Sequence, residues 1–356
     1  MKLRKLKIRF KSIVYRFFTR MLGSTSFKSR LFESAVGLLD KQLTNKGFSL
    51  NIRLSGIEPY NSIYFKASKM SCNDWTLVFQ GGFENIEQIN FFKTSIEYFV
   101  SVFHMKSFIV STFQLSPEFH ELLDNYKHRE KIYLIESEDP GTLPAPWAKN
   151  LLRQIRNSYN GILYARELDY EKVVKLRIDQ RFKGRHSFIG IDWLLSNFPS
   201  PQSLAKGRII ASSLNTYKSL PLFMSDCIHF GYTEDLIEYW KDADREDFKA
   251  NSYGFLQNLG LNSNLLHHPE VWLSSRYIQS KGIDGLGIAQ ANDFFWSKLA
   301  AVVDASEIKH EWQKQPRALI GNYKSTKWLE GSLNSSYVEM THWDWLFHYG
   351  NQPDNR

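Results

Sequence analysis

The chain has 356 residues, 43% of them hydrophobic and 15% aromatic, which suits a folded globular protein and excludes a disordered one. Its formal charge of +8 is local: the first thirty residues hold ten Lys or Arg and no acid, leaving 35 basic against 37 acidic residues, so a nucleic-acid binder with a broad basic face is set aside. Two cysteines, Cys72 and Cys227, make no disulfide framework and fit a reducing compartment.

In chain order, residues 1–22 read as a basic amphipathic helix. Leu3, Leu6, Phe10, Ile13, Val14, Phe17 and Met21 form one stripe, flanked by Lys2, Lys5, Arg9, Arg16 and Arg20 on one side and Arg4, Lys7 and Lys11 on the other. That geometry suits a helix lying in an anionic membrane interface. Charges interrupt every apolar run, so it is neither a signal peptide nor a membrane span. A second helix is predicted over 29–43, and the arm as a whole over 1–45.

From Trp75 the pattern becomes regular. Trp75–Gln80 reads as a buried strand stopped by Gly81-Gly82, and Asn85 is placed to cap a helix with Gln88 three residues on. Strands are predicted over 106–113, 131–137 and 172–181, with helices from Pro117 to Tyr126 and from Trp147 to Ala165 between them. Such alternation implies an α/β fold with a mainly parallel sheet covered by helices on both faces, and ligands bound beyond the carboxyl ends of its strands. Further on, strands are predicted over 208–213 and 224–230, and helices over 233–241 and 269–279. The last fifty residues carry Trp312, Trp328, Trp343 and Trp345 without clear period.

Four features could carry chemistry. On the strand 172–181, Lys175, Arg177, Asp179 and Arg181 share one face, opposite Val174, Leu176 and Ile178. Such a face either cradles a diphosphate and its metal or is a structural ion-pair cluster. On the preceding helix, Asn150, Arg153, Gln154, Asn157 and Ser158 form a polar stripe of amides, one Arg and one Ser, either solvent-facing or set for hydrogen bonds to a ligand. The strand end at Gln80-Gly81 lets backbone approach a nucleotide closely. Asp226, expected to enter a strand with His229 on its opposite face, is either a general base or a local cap. P-loop, paired CxxC, HExxH and GxSxG motifs are missing.

Several of these runs together resemble the WavE lipopolysaccharide-synthesis family. They are Leu77-Val78-Phe79-Gln80-Gly81, Ile109-Val110-Ser111-Thr112-Phe113, Asp139-Pro140-Gly141 with Asn150, Arg153-Gln154-Ile155, Ser158 and Gly161, and Lys175-Leu176-Arg177-Ile178-Asp179-Gln180-Arg181. Met224-Ser225-Asp226, Phe230-Gly231 and Pro269-Glu270 extend the likeness to about residue 280. The resemblance implies a glycosyltransferase with a GT-A-like fold over residues 46–356 behind the arm, binding a nucleotide sugar at its strand ends. In that fold two carboxylates of a DxD motif hold a divalent cation, Mn²⁺ or Mg²⁺, on the donor diphosphate. Here the matching place reads Arg177-Ile178-Asp179, with Arg in place of the first acid.

On that basis Arg153, Arg177 and Arg181 are expected to neutralise the diphosphate. Asp179 is expected to bind a metal or a donor hydroxyl, and Asp226 to deprotonate the acceptor. Gln80, Gly81, Asn150, Gln154 and Lys175 complete the expected donor site. Expected partners are a nucleotide sugar, a lipid-linked glycan and an anionic membrane surface met by residues 1–22, with no nucleic acid. The expected location is the cytoplasmic face of the inner membrane. Two other functions fit the same residues: a non-catalytic glycan-binding protein on a degenerate transferase fold, and a sugar-phosphate transferase.

Overall fold

The protein is described by a computed structural model over residues 72–143, 148–246, 248, 268–283, 285–313 and 338–350. The predicted basic arm, the helix over 29–43, the boundary at residue 46, Trp147 and Trp328 lie outside the described residues.

β1 (Trp75–Gln80) is buried along its whole length, as its unbroken apolar run requires of a strand covered on both faces. Asn85 caps α1 (Ile86–Phe103), its side chain accepting from the Gln88 N–H at 3.0 Å. The Gln88 amide reaches one residue further back than a capping box does and accepts from the Glu84 N–H at 2.7 Å. β2 (Phe108–Phe113), α2 (Pro117–Asp124), β3 (Ile132–Ser137), α3 (Leu151–Glu167) and β4 (Lys172–Arg177) follow in the predicted order.

The single strand predicted over 172–181 is corrected by the structure. β4 stops at Arg177, Ile178-Asp179 form a turn, and β5 (Gln180–Phe182) leaves the main sheet. The turn is pinned by remote partners: the Ile178 N–H donates to Gln80 O at 3.0 Å, and Asp179 O accepts from the Gln313 N–H at 2.9 Å. The chain continues through α4 (Ser187–Asn197), β6 (Ile209–Ser212), β7 (Ile228–Tyr232), α5 (Thr233–Tyr239), α6 (Pro269–Ser280) and α7 (Ile288–Phe294). A π-turn over Phe295–Leu299 leads into β8 (Ala300–Val303), α8 (Ala305–Ile308), β9 (His310–Trp312) and α9 (His342–Gly350). β9 pairs antiparallel with β5 in a small second sheet. β7 begins at Ile228, not at 224, so Asp226 sits in a bend ahead of the strand.

The main sheet runs β3-β2-β1-β4-β7-β6-β8. All its strands are parallel except β7, which is antiparallel to both β4 and β6. Helices cover both faces. On one, the Phe79 ring lies 5.0 Å from Phe92 of α1, and Trp75 lies 5.3 Å from Phe188 of α4. On the other, α3 packs so closely that a Cβ at Gly161 would stand 2.5 Å from Val78 Cγ1 and 2.9 Å from Ser111 Cβ. The α/β fold with a mainly parallel sheet is therefore as the sequence indicated.

Candidate functional site at the carboxyl ends of β1 and β4

The chain runs outward from β1 through β2 to β3, then returns to place β4 on the other side of β1. The carboxyl ends of β1 and β4 thus flank the point where strand order reverses, the usual crevice for ligands in open α/β sheets. A cleft of about 360 Å³ lies there. Its walls include Gln80, Gly81 and Gly82 from the end of β1, Arg177 and Asp179 from the end of β4, and Asn150, Arg153, Gln154 and Asn157 around the start of α3. Gly81 adopts φ +112°, a conformation that L side chains rarely reach, which lets the chain turn away under the cleft while its N–H bonds Ser111 O at 3.1 Å.

The paired register puts Gln80, Ser111 and Arg177 side by side on the α3 face. Of the polar stripe, Asn157 and Ser158 are therefore buried toward the sheet, Arg153 and Gln154 are half-buried at the cleft, and Asn150 is exposed. Gln80, Asn157, Ser158, Ser111 and Thr112 are all buried, and Gln80 Oε1, Asn157 Oδ1, Ser158 Oγ, Ser111 Oγ and Thr112 Oγ1 have no protein partner. Unpaired polar atoms of this kind are costly in a folded interior, and the two that belong to the cleft wall, on Gln80 and Asn157, suit a hydrogen-bonding ligand.

The cations of the cleft are matched by acids. Arg153 grips Asp139 through two parallel bonds, Nε to Oδ1 at 2.9 Å and Nη2 to Oδ2 at 2.5 Å. Arg177 donates from Nε to Asp179 Oδ1 at 3.2 Å, and the Trp312 indole donates to Asp179 Oδ2 at 3.0 Å. Burial opposes the Arg177 charge, yet the carboxylates of Asp179 and Asp226 raise its pKa.

Three sequence-predicted residues fall outside the cleft wall. Lys175 is fully buried beneath it, donating to Asp226 O at 2.6 Å and lying 4.2 Å from the centre of the Trp240 ring. Burial lowers its pKa to about 8 against the pull of Asp226. Arg181 points elsewhere: it pairs with Glu311 at 2.7 Å and Thr94 at 3.1 Å, and stacks on Phe91. The β4–β5 break turns it off the face it was expected to share with Arg177. Asp226 arrives because β7 runs antiparallel, so its start meets the end of β4, and Asp226 lies two residues ahead of Ile228 in the Leu176–Ile228 pair.

The bend that carries Asp226 is held from below. Lys175 takes the Asp226 carbonyl, and His229 Nε2 lies 2.7 Å from Ser225 O. The Trp240 indole N–H, a donor only, points at His229 Nδ1 at 3.1 Å. His229 therefore carries its proton on Nε2 and is neutral, with its pKa lowered to about 3 by burial and by Lys175. It is a structural imidazole and not a base. Glu270, at the start of α6, is only half-buried by surface area yet is crowded by protein; burial and the Asp226 carboxylate push its pKa up to about 8.

Sequence reasoning did not single out Asp139, Gln88, Glu270 or Trp312 as parts of this neighbourhood. Asp139 and Glu270 stood only within family-like runs, Gln88 only as a helix-start residue, and Trp312 lies 133 positions from Asp179 with no local signal. A second hollow, of about 500 Å³, lies at the opposite end of the sheet beside the start of α5. Its acids are already committed: Asp235 accepts from the N–H groups of Lys206 and Gly207, and Glu238 pairs with Lys281.

A family profile described as WavE lipopolysaccharide synthesis matches residues 75–302, more than half of the chain and the whole of the cleft. The chain belongs to the WavE lipopolysaccharide synthesis family. No curated protein matches it. Among solved structures it is similar to HddC from Yersinia pseudotuberculosis, at 11% identity, covering 46% of this chain and 79% of that one with a TM-score of 0.32. It is similar to the galactosyltransferase LgtC in complex with donor and acceptor sugar analogues, at 13% identity over 57% and 70% of the two chains, TM-score 0.32. It also shares 10% identity with mannose-1-phosphate geranyltransferase from Thermus thermophilus, over 71% and 81%, TM-score 0.31. Likenesses this distant assign no function to this WavE-family chain.

Proposed function

We propose that this protein is a glycosyltransferase that moves a sugar from a nucleotide-activated donor onto a lipopolysaccharide acceptor, binding the donor in the cleft at the ends of β1 and β4. The observation that carries the reading is the pair of buried, unpartnered oxygens of Gln80 and Asn157 on the cleft wall beside Arg153 and Arg177, at the point where strand order reverses. The family's connection with lipopolysaccharide synthesis supplies the acceptor class.

In the proposed step the acceptor oxygen attacks the anomeric carbon as the bond from that carbon to the donor phosphate breaks. The nucleoside diphosphate leaves with the bonding pair, and the acceptor proton passes to the Asp226 carboxylate. Arg153 and Arg177 face the departing phosphate charge. Arg181, engaged with Glu311, takes no part.

The resemblance to metal-dependent transferases implies a divalent cation. Asp179 is the single carboxylate at the corresponding place, and its oxygens already accept from Arg177 and Trp312. Among the described residues no group of three His, Cys, Asp or Glu side chains converges as a metal site. These residues do not fit the cation, and no step is routed through it. Among the described residues no helix is long and apolar enough to cross a membrane. Attachment to the cytoplasmic membrane face is assigned to residues 1–22, and removing them should release the protein from anionic vesicles in co-sedimentation.

The test is thermal unfolding with a panel of nucleotides and nucleotide sugars, each with Mn²⁺ or with EDTA. A ligand at 100 times its Kd adds about 2.7 kcal/mol, which for a chain of this length raises Tm by at least about 2 °C. One nucleotide family should stabilise the protein equally with and without EDTA. Asp226→Asn should keep that stabilisation and lose transfer, followed by product mass. A folded sample that no nucleotide stabilises would sink the reading.

A further inference from the structure

Two Arg–Asp pairs line the cleft, and they differ in how firmly the acid is held. Asp179 is 3% exposed, with Arg177 on one oxygen and the Trp312 indole on the other. Asp139 is 41% exposed, and Arg153 beside it 35%. Asp139 sits on the loop after β3, two residues ahead of Gly141, whose N–H it accepts at 2.9 Å.

We propose that Asp139 occupies on Arg153 the place of the ligand's anionic group, and that a diphosphate entering the cleft exchanges with it. The proposal rests on the donor reading above. The planar fork of an arginine fits a carboxylate and a phosphate in the same two-bond manner, so each is a direct competitor for the other. Arg153 holds the Asp139 carboxyl below the usual carboxylate range, so at neutral pH it competes as an anion. On release the carboxylate keeps the Gly141 amide and gains water. Both partners are more than a third exposed, so water compensates much of what the carboxylate loses on leaving even this two-bond pair.

Asp179 cannot be exchanged in this way, because its release would strip a buried carboxylate of both Arg177 and Trp312. The consequence is selectivity. A nucleoside without phosphates brings nothing to displace Asp139, whereas a diphosphate brings more charge and more oxygens than the carboxylate it replaces. The cleft stays charge-matched when empty and admits a polyanion without exposing an unpaired arginine beforehand.

The experiment is calorimetric titration of the full chain with uridine, guanosine, cytidine and thymidine diphosphates, the parent nucleosides, and inorganic pyrophosphate. Asp139→Asn should bind its preferred nucleoside diphosphate and pyrophosphate about fivefold tighter than wild type, as removing a weak competing ion pair would give. Its affinity for the nucleoside should be unchanged, and Arg153→Gln should lose the diphosphate contribution. An Asn side chain still accepts from the Gly141 N–H, so the loop is kept. Asp139→Ser, also able to accept there, should shift affinity in the same direction. Weakening in Asp139→Asn as large as in Arg153→Gln would overturn the proposal and make Asp139 a strut that aims Arg153. Nucleotides that bind wild type but gain nothing in either variant would overturn the exchange and leave the donor reading standing. Pyrophosphate that tightens while no nucleotide binds any form would do the reverse.

Discussion

Gly161 offers a test in which two effects of opposite sign compete. It lies in the interior of α3, where replacing Gly by Ala ordinarily stabilises by about 1 kcal/mol. Here the added Cβ would stand 2.5 Å from Val78 Cγ1 and 2.9 Å from Ser111 Cβ. Both neighbours are fully buried in the middle of the sheet, and neither is the far end of a flexible side chain, so neither can move aside cheaply. Overpacking of this kind costs about 2–3 kcal/mol. The net expectation for Gly161→Ala is a loss of about 1–2 kcal/mol, or a Tm lowered by roughly 2–4 °C. The same displacement lifts α3 from the sheet and carries Asn157 away from Gln80, so nucleotide affinity should fall along with stability. Urea unfolding followed by fluorescence of the ten tryptophans measures the first quantity. A variant more stable than wild type would mean that helix propensity wins and that the close approach of α3 to β1 and β2 is wrong.

Asn157→Leu removes one of the unpartnered cleft oxygens and should relieve a folding cost, so stability should hold or rise while nucleotide affinity drops about tenfold or more, read by titration. Arg208 is buried with its guanidinium bonded to the carbonyls of Phe198, Pro199, Trp296, Ser297 and Ala300 and stacked near Tyr349. Arg208→Met should cost about 3–5 kcal/mol in urea unfolding by leaving those carbonyls short of donors. Stability should also depend on pH in two windows. The pKa values of His229 and His310 are lowered to about 3 by burial, so the unfolded chain binds more protons below about pH 6.5 and stability falls as pH drops through that range. The Glu270 pKa is raised to about 8, so the folded chain holds the extra proton and Glu270 stabilises less as pH rises from about 4.5 to 8. Glu270→Gln should abolish the fall between pH 6.5 and 8, and an unchanged slope would show that Glu270 is ionised in the native protein.

Much of the site was legible because each element carries its own period. The apolar run Trp75–Gln80 identified a strand buried on both faces, and its end at Gly81 identified the cleft floor. Helical spacing set Asn150, Arg153, Gln154 and Asn157 on one side of α3, and strand alternation set Lys175 and Arg177 on one face of β4. The alternation then misled. It continued in the sequence through Arg181, but the chain at Ile178-Asp179 bonds Gln80 and Gln313 instead of continuing the ladder, and Arg181 leaves with β5 toward Glu311. Nothing in residues 172–181 reports that change, because the partners that cause it, Gln80, Glu311 and Gln313, all lie in distant parts of the chain.

The sequence by itself determined the order of helices and strands from β1 to β4, with β6, β7, α5 and α6 beyond them, the mainly parallel sheet and the residues at the strand ends, whereas α4, α7, α8, α9, β5, β8 and β9 came only from the structure. What the sequence determined follows from local periodicity, which says which face of its own element a side chain takes. Only the tertiary structure decided that β7 enters the sheet antiparallel and brings Asp226 beside Arg177, that Trp312 reaches Asp179, and that each cleft arginine is met by a carboxylate. Those pairings depend on which distant strands share hydrogen bonds, a choice made by the burial of the whole sheet at once and written in no single stretch of chain.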